Sequence, residues 1–135
     1  ADGVIISTPE YDHTIPAALM NTFAWLSYGI HPFDNKPVMI TGASYGALGT
    51  SRAQGHLRRM LDAPEIHAQT MASSDFMVSR SLNAFDEDGN LKDPALVKRF
   101  DELFAEFEVF VDLMAKLAQV NQVAEEDAAK VGDAE

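Results

Sequence analysis

A serine set between two glycines is the first place to look for chemistry in this chain. Residues 42–46 have the sequence G-A-S-Y-G, which matches G-x-S-x-G, a pattern typical of a sharp turn that presents a serine nucleophile. A glycine-rich turn after a strand also lets backbone N–H groups approach a bound cofactor closely. Ser44 is therefore either a nucleophile or part of a backbone cradle, and the rest of the chain must distinguish the two.

The hydrolase interpretation requires an acid and then a histidine, normally from separate later loops. Only His56 and His67 follow Ser44. His56 falls in the next predicted helix, and His67 shares one short connection with Asp62 and Glu65. This spacing disfavours a catalytic triad, so a serine hydrolase is the weakest alternative.

A second loop offers what a cradle needs. Residues 8–14, with the sequence T-P-E-Y-D-H-T, close one predicted strand, as residues 42–49 close another. Together the loops supply a rigid proline turn, two tyrosine rings and accessible backbone donors. These features suit a flat heteroaromatic ligand, which needs apolar faces and a few placed polar groups.

The elements that must position these loops follow from the apolar pattern. Short β-branched runs at residues 4–6 and 38–40 predict strands buried on both faces, as in a parallel sheet. A helix joins them, with Thr14 as its cap, Pro16 in its first turn and Gly29 at its end. We expect the two strands to be adjacent and parallel.

Strands and helices continue to alternate along the chain. The pattern predicts a helix over residues 47–61, a third strand within 66–78 and a long helix capped by Asp93. This order predicts an α/β layer fold with right-handed crossovers. Ligands of such sheets bind beyond the carboxyl ends of the strands, where the loops at residues 7–14 and 41–50 lie.

The last helix carries a broad apolar stripe that predicts packing on the sheet, with part of it free to face another subunit. Its apolar positions are Leu96, Val97, Phe100, Leu103, Phe104, Phe107, Phe110, Val111, Met114 and Leu117. Beyond about Gln122 the chain is acidic and alanine-rich. We therefore predict a domain over residues 1–121 and a disordered tail over 122–135.

Charge and composition exclude several classes of function. The net charge of −11 argues against a nucleic-acid or anionic-membrane surface. Residues 1–80 carry five basic and seven acidic side chains, whereas residues 81–135 carry five and fourteen, so the first part better tolerates an anionic ligand. The chain has no cysteine, which removes thiolate chemistry and fits a reducing compartment such as the cytoplasm.

No metal site is predicted. The acidic stretch D-E-D-G-N at residues 86–90 lacks the alternating ligands and the closing glutamate of a calcium loop. We therefore interpret it as a surface turn.

Two blocks of sequence resemble the NADPH-dependent FMN reductase family of flavodoxin-like proteins. The first runs from Ala1 to Leu26 and includes S-T-P-E-Y-D-H-T-I-P-A-A-L-M-N-T-F-A-W-L, and the second is K-P-V-M-I-T-G-A-S-Y-G-A-L-G-T-S-R-A-Q-G-H-L-R. They cover roughly the first 60 residues in the family's order and spacing.

The resemblance implies bound FMN that takes hydride from NAD(P)H and passes electrons to a small acceptor such as a flavin, a quinone or an azo dye. Hydride moves between stacked rings, so no catalytic side chain is required. The cofactor-binding residues implied by similarity are Pro9, Glu10, Tyr11, Asp12, His13, Ser44, Tyr45 and Gly46. Backbone N–H donors of the second loop would stabilise the negative charge of reduced flavin near N1 and O2, and Arg52 could meet a phosphate of the nicotinamide cofactor.

The chain departs from the family in two respects. Asp12 stands where the family usually has asparagine, and a carboxylate accepts hydrogen bonds but cannot donate them, although it could cap the following helix. The chain also matches only the C-terminal portion of the flavodoxin-like three-layer parallel sheet, from the third strand onward. We therefore expect a companion N-terminal chain or an uncut precursor, and a dimer of the completed domain. The alternative is a non-catalytic partner chain without flavin.

Overall fold

The computed structural model describes residues 1–72 and 75–132, and the side chains of all of these except 126–132. Within this part, four strands form one parallel sheet: β1 (Val4–Ser7), β2 (Pro37–Ala43), β3 (Gln69–Thr70) and β4 (Phe76–Val78). β1 pairs with one side of β2, from Val4 opposite Val38 to Ser7 opposite Thr41. The predicted adjacency and parallel pairing of the first two strands are confirmed.

The third strand is present in two pieces. β3 pairs with the start of β2 and β4 with its end, so the two pieces follow one another along the same side. The strand predicted within residues 66–78 is thus found as two short strands, one ending at Thr70 and the other beginning at Phe76.

Helices cover both faces of the sheet, which confirms a flavodoxin-like three-layer α/β fold. α1 (Ala17–Leu26) and α2 (Ser51–Leu61) pack on one face, and α3 (Pro94–Gly132) packs on the other. Side chains alternate along β2 as the pleat requires. Val38 and Ile40 therefore join the core under α1 and α2, and Met39 joins the core under α3.

The helix starts differ in part from the sequence predictions. α1 has Pro16 at its N-cap without a side-chain cap, so the prediction that Thr14 caps it is wrong, as is the suggestion that Asp12 does. Thr14 Oγ1 instead contacts His56 Nδ1 of α2. α2 begins at Ser51, not at residue 47, because the chain first turns through Gly49 at a φ of +60°. Asp93 does cap α3: its carboxylate accepts a hydrogen bond from the backbone N–H of Ala95 at 2.9 Å.

α3 is longer than expected. It continues to Gly132, through eleven residues that the sequence assigned to a disordered tail, because Ala, Glu, Gln and Lys are good helix formers. Residues 133–135 lie outside the described part, so the division at residue 122 stays a prediction. In the apolar stripe, Leu103 and Phe107 are buried, whereas Phe104 and Leu117 are exposed.

β1 is less buried than predicted. Ile6 is buried, but Ile5 on the opposite face is 41% exposed. In the described part of the chain β1 has a partner on one side only, and α3 covers mainly its start, where Phe107 and Val111 approach Gly3. Among the described residues, no helix is both long enough and apolar enough to cross a membrane.

Candidate functional site

The carboxyl ends of β1 and β2 bring the two predicted loops to opposite sides of one cavity of about 720 Å³. Residues 9–13 form one wall, residues 43–49 form the other, and Arg52 of α2 completes the lining. All eight residues predicted to bind a cofactor therefore line the same cavity. Its volume lies within the range of small-molecule sites.

The first wall is a tight turn at Tyr11–Thr14. The backbone N–H of each of these residues donates to the carbonyl of the other, at 3.0 and 2.9 Å. Both central residues have left-handed backbones, Asp12 with φ 47° and His13 with φ 68°. Aspartate shares with asparagine a tolerance of this conformation, so the departure at residue 12 is compatible with the turn. Such unfavourable backbone angles are frequent at functional sites.

The second wall is fixed from behind. The Ser44 N–H donates to Val78 O at 3.0 Å and the Arg80 N–H donates to Gly46 O at 3.1 Å, which ties the loop to the segment after β4. The structure records no hydrogen bond from the backbone N–H groups of residues 45–48 to other described residues. Because residues 45–48 line the cavity, these N–H groups are candidate donors to a ligand.

The positions of the histidines contradict the hydrolase alternative. Ser44 Oγ donates to the Gly49 carbonyl within its own loop. The His56 ring contacts Thr14, and the His67 ring pairs with Asp34 at 2.6 Å, in the connection before the amino end of β2. Neither histidine that follows Ser44 in sequence is placed to activate it. The glycines and the serine of the G-x-S-x-G match therefore shape the loop and do not form a nucleophile site.

Glu10 has a role that sequence analysis missed. Its Oε2 accepts hydrogen bonds from the backbone N–H groups of Arg52 and Ala53, at 3.0 and 3.1 Å, in the first turn of α2. Oε1 lies 3.5 Å from Arg52 Nε, and the side chain is only 11% exposed. A carboxylate at a helix N-terminus satisfies unpaired donors and complements the helix dipole. Glu10 therefore joins the first wall of the cavity to α2.

Thr50 is the N-cap residue of α2, and its contacts explain why Glu10, 42 positions before Arg52, caps the helix in its place. Thr50 has a capping residue type but makes no side-chain cap. Its hydroxyl is buried and accepts a hydrogen bond from Gln54 Nε2 at 2.9 Å, while the same nitrogen also donates to Phe76 O at 2.9 Å. No acid lies in the first turn of α2. The sequence shows a capping residue type at this position, so the only sequence signal for an external cap is the absence of an acid from the first turn of α2.

Two glycines let the cavity walls approach the sheet. A Cβ on Gly42 would collide with the Thr8 carbonyl oxygen and the Thr50 side chain, and one on Gly49 would lie 2.9 Å from Met77 Cβ. A Cβ on Gly46, by contrast, would make only an ordinary contact, at 3.8 Å from Ser44 Oγ. Close packing thus requires glycine behind the second wall, and the tip of that wall remains open.

No metal centre is evident in the described part of the chain, where no three His, Asp or Glu side chains could hold an ion together. In the acidic loop the Asp86 carboxylate accepts hydrogen bonds from the backbone N–H groups of Asp88 and Asn90, at 3.0 and 2.8 Å, and from the Asn90 side chain. The carboxylate is therefore engaged by its own turn. The hydrogen bonds from Asn90 lower the pKa of Asp86.

A sequence model described as NADPH-dependent FMN reductase matches residues 1–83 of the chain. The chain belongs to the NADPH-dependent FMN reductase family. Both cavity loops of this family member fall within the matched residues, so the site lies in the part of the chain that carries the family signature.

Individual relatives agree with this assignment. The chain is 48% identical over 127 residues to the NADH:(hydroxy)cinnamate reductase subunit CrdA of Vibrio ruber, across 94% of this chain and 63% of that protein. It is 37% identical over 123 residues to the NADH-dependent flavin reductase subunit 2 of Lactobacillus johnsonii, across 86% of this chain and 66% of that protein. The chain thus spans a little under two thirds of the length of these relatives.

A solved structure has the same fold. The flavoenzyme NAD(P)H:(acceptor) oxidoreductase FerB of Paracoccus denitrificans superposes with a TM-score of 0.66 at 25% identity, across 86% of this chain and 62% of FerB. The α/β layer fold inferred from the alternation of strands and helices, and the flavodoxin-like architecture implied by the family resemblance, are therefore both confirmed.

Proposed function

We propose that the protein containing this chain is an FMN-dependent NAD(P)H oxidoreductase that transfers hydride from the nicotinamide cofactor to FMN and on to a small acceptor, a flavin, a quinone or an azo compound. One observation carries the proposal: in a chain of the FMN reductase family, both signature loops line a single cavity of about 720 Å³. The hydride transfer itself requires no catalytic side chain of this chain.

The residues of the cavity suit the polar end of a flavin ring system. FMN, when bound, supplies the chemistry of hydride acceptance. The chain supplies the backbone donors of residues 45–48, which would hold negative charge on the reduced ring, and two exposed rings, Tyr11 at 61% and Tyr45 at 74%, which would cover its apolar faces. Pro9, Asp12 and His13 complete the first wall.

The names of two relatives suggest the electron donor. Both the Vibrio ruber and the Lactobacillus johnsonii proteins are named for NADH. We therefore propose NADH as the preferred donor for this chain, with NADPH as the comparison in any assay.

We also propose that a second polypeptide, or a further segment of the same protein, completes the FMN-binding domain. The two relatives are named as subunits. In the described part of the chain, β1 pairs on one side only, and an unpaired apolar strand edge favours pairing with a further strand. Exposed Trp25, Tyr28 and Ile30 lie at the end of α1 and after it, where a second copy could cover them in a dimer. The absence of cysteine supports a cytoplasmic location, which cell fractionation would test.

The decisive experiment is to purify the protein with FMN, record its absorbance near 450 nm and add NADH without oxygen. We expect stoichiometric FMN and loss of the absorbance band on reduction. The same measurements on residues 1–135 alone test the completion proposal, for which we expect weak FMN binding and no cooperative unfolding. A protein that neither binds FMN nor is reduced would instead support the non-catalytic partner.

A further inference from the structure

The cavity carries a cation that neither loop supplies. Among the described residues that line it, Arg52 bears the one permanent positive charge. Its side chain is 42% exposed, so the guanidinium meets solvent at the cavity while its stem belongs to α2. The other arginines of this helix, Arg58 and Arg59, do not line the cavity.

Two contacts fix the direction of this guanidinium. Its Nε lies 3.5 Å from Glu10 Oε1, and its Nη1 lies 3.3 Å from His13 Nε2. Because an arginine nitrogen can only donate, the latter contact requires His13 Nε2 to be the unprotonated ring nitrogen. Nη2 has no partner among the described residues. Nε and Nη1 therefore contact the protein, and the two N–H donors of Nη2 are available to a ligand.

The carboxylate of Glu10 does not cancel this charge. Two backbone N–H groups at the start of α2 share its negative charge with the guanidinium, and the helix N-terminus itself contributes about half a positive charge. Glu10 also fills the helix N-terminus, so an anion in the cavity would reach the arginine rather than the helix end. Asp12, on the same wall, opposes an anion.

We propose that Arg52, held in place by Glu10 and His13, determines the affinity of the cavity for the phosphates of the nicotinamide dinucleotide. This inference rests on the proposed function. A guanidinium with two free donors matches two phosphate oxygens, whereas the dihydronicotinamide ring is uncharged. Arg52 therefore contributes to binding of the donor and not to the hydride transfer.

The test compares Arg52→Gln and Arg52→Lys with Arg59→Gln, an exposed arginine of the same helix. Flavin reduction is followed by stopped flow with NADH and with 1-benzyl-1,4-dihydronicotinamide, a hydride donor without phosphate. For Arg52→Gln we expect the dissociation constant of NADH to rise about tenfold, with the limiting reduction rate within about twofold. The rate with the phosphate-free donor and the behaviour of Arg59→Gln should not change.

Two further measurements keep the inference testable on its own. ADP-ribose is titrated into the flavin-free protein, where it should bind the wild type about tenfold more tightly than Arg52→Gln, and Asp12→Asn should bind it more tightly than the wild type. If the wild type binds ADP-ribose through Arg52 but is never reduced, the proposed function fails and this inference survives.

Three outcomes would overturn the inference. The first is an unchanged NADH affinity in Arg52→Gln. The second is an equal loss with the phosphate-free donor, which would place Arg52 at the flavin. The third is weaker binding of FMN but not of riboflavin, which would assign the arginine to the FMN phosphate instead.

Discussion

Glu10 and Arg52 are 42 positions apart in sequence, yet the Glu10 carboxylate accepts a hydrogen bond from the Arg52 backbone N–H at 3.0 Å. We predict that Glu10→Ala lowers the free energy of unfolding by about 2 kcal/mol, because a largely buried cap with charge-assisted hydrogen bonds is lost. Glu10→Gln should lose about half as much, because the amide oxygen can still accept. Denaturant unfolding of the complete protein measures both.

Glu87→Ala is the matched control for Glu10, because Glu87 is an exposed glutamate in the acidic loop. It should change the free energy of unfolding by less than about 0.5 kcal/mol. If Glu10→Ala were as mild as this control, the carboxylate would not be capping α2 in solution.

Gly42 and Gly55 should respond to alanine in opposite directions. At Gly42 the new methyl group would collide with Thr8 and Thr50, so we expect a loss of about 2 kcal/mol or more and weaker ligand binding, because both cavity walls must shift. At Gly55, within α2, nothing lies within 4 Å, and alanine should stabilise the helix by about 0.5–1 kcal/mol. Thermal unfolding of the two variants checks the pair.

Ser44→Ala tests the cradle interpretation of the second loop. The hydroxyl donates to the Gly49 carbonyl, so its removal should cost about 1 kcal/mol of stability and leave most reductase activity in the complete protein. A catalytic nucleophile would lose several orders of magnitude in rate. Labelling of Ser44 by a fluorophosphonate probe, or near-total loss of activity with flavin still bound, would contradict the cradle.

Asp86 provides a pH-dependent prediction. Its pKa is lowered in the folded chain, chiefly by the hydrogen bonds from Asn90, so the ionised carboxylate stabilises the loop. This contribution is present above the unfolded pKa near 3.8 and is lost as the pH falls through the lower folded value. Asp86→Asn should therefore be less stable than the wild type at pH 7, and the difference should shrink as the pH falls below 3.8.

We expect the same loop not to bind calcium, because the Asp86 oxygens already accept hydrogen bonds from their own turn. A melting temperature that stays constant when millimolar calcium is added would agree with this assignment. A rise that Asp86→Asn abolishes would show that the loop binds the ion.

Several features could be predicted from the sequence because their signals are local. The β-branched runs at residues 4–6 and 38–40, separated by a helix, predict adjacent parallel strands, and the structure pairs them in parallel. Because parallel strands place their carboxyl ends at one edge, the loops after them were expected to meet. The division of the predicted third strand into β3 and β4 was harder to predict, because short apolar segments do not by themselves distinguish a strand from a piece of helix.

The sequence by itself determined the layer order of the fold and the two loops of the candidate site, because periodicity and turn-forming residues act over a few neighbouring positions. Only the tertiary structure decided what the polar side chains of the site do. Thr50, a capping residue by type, turns inward to Gln54, and Glu10 takes its place at the start of α2. Hydrogen bonds between residues far apart in sequence have no periodic signature, and burial selects among the possible partners once the sheet has brought the loops together.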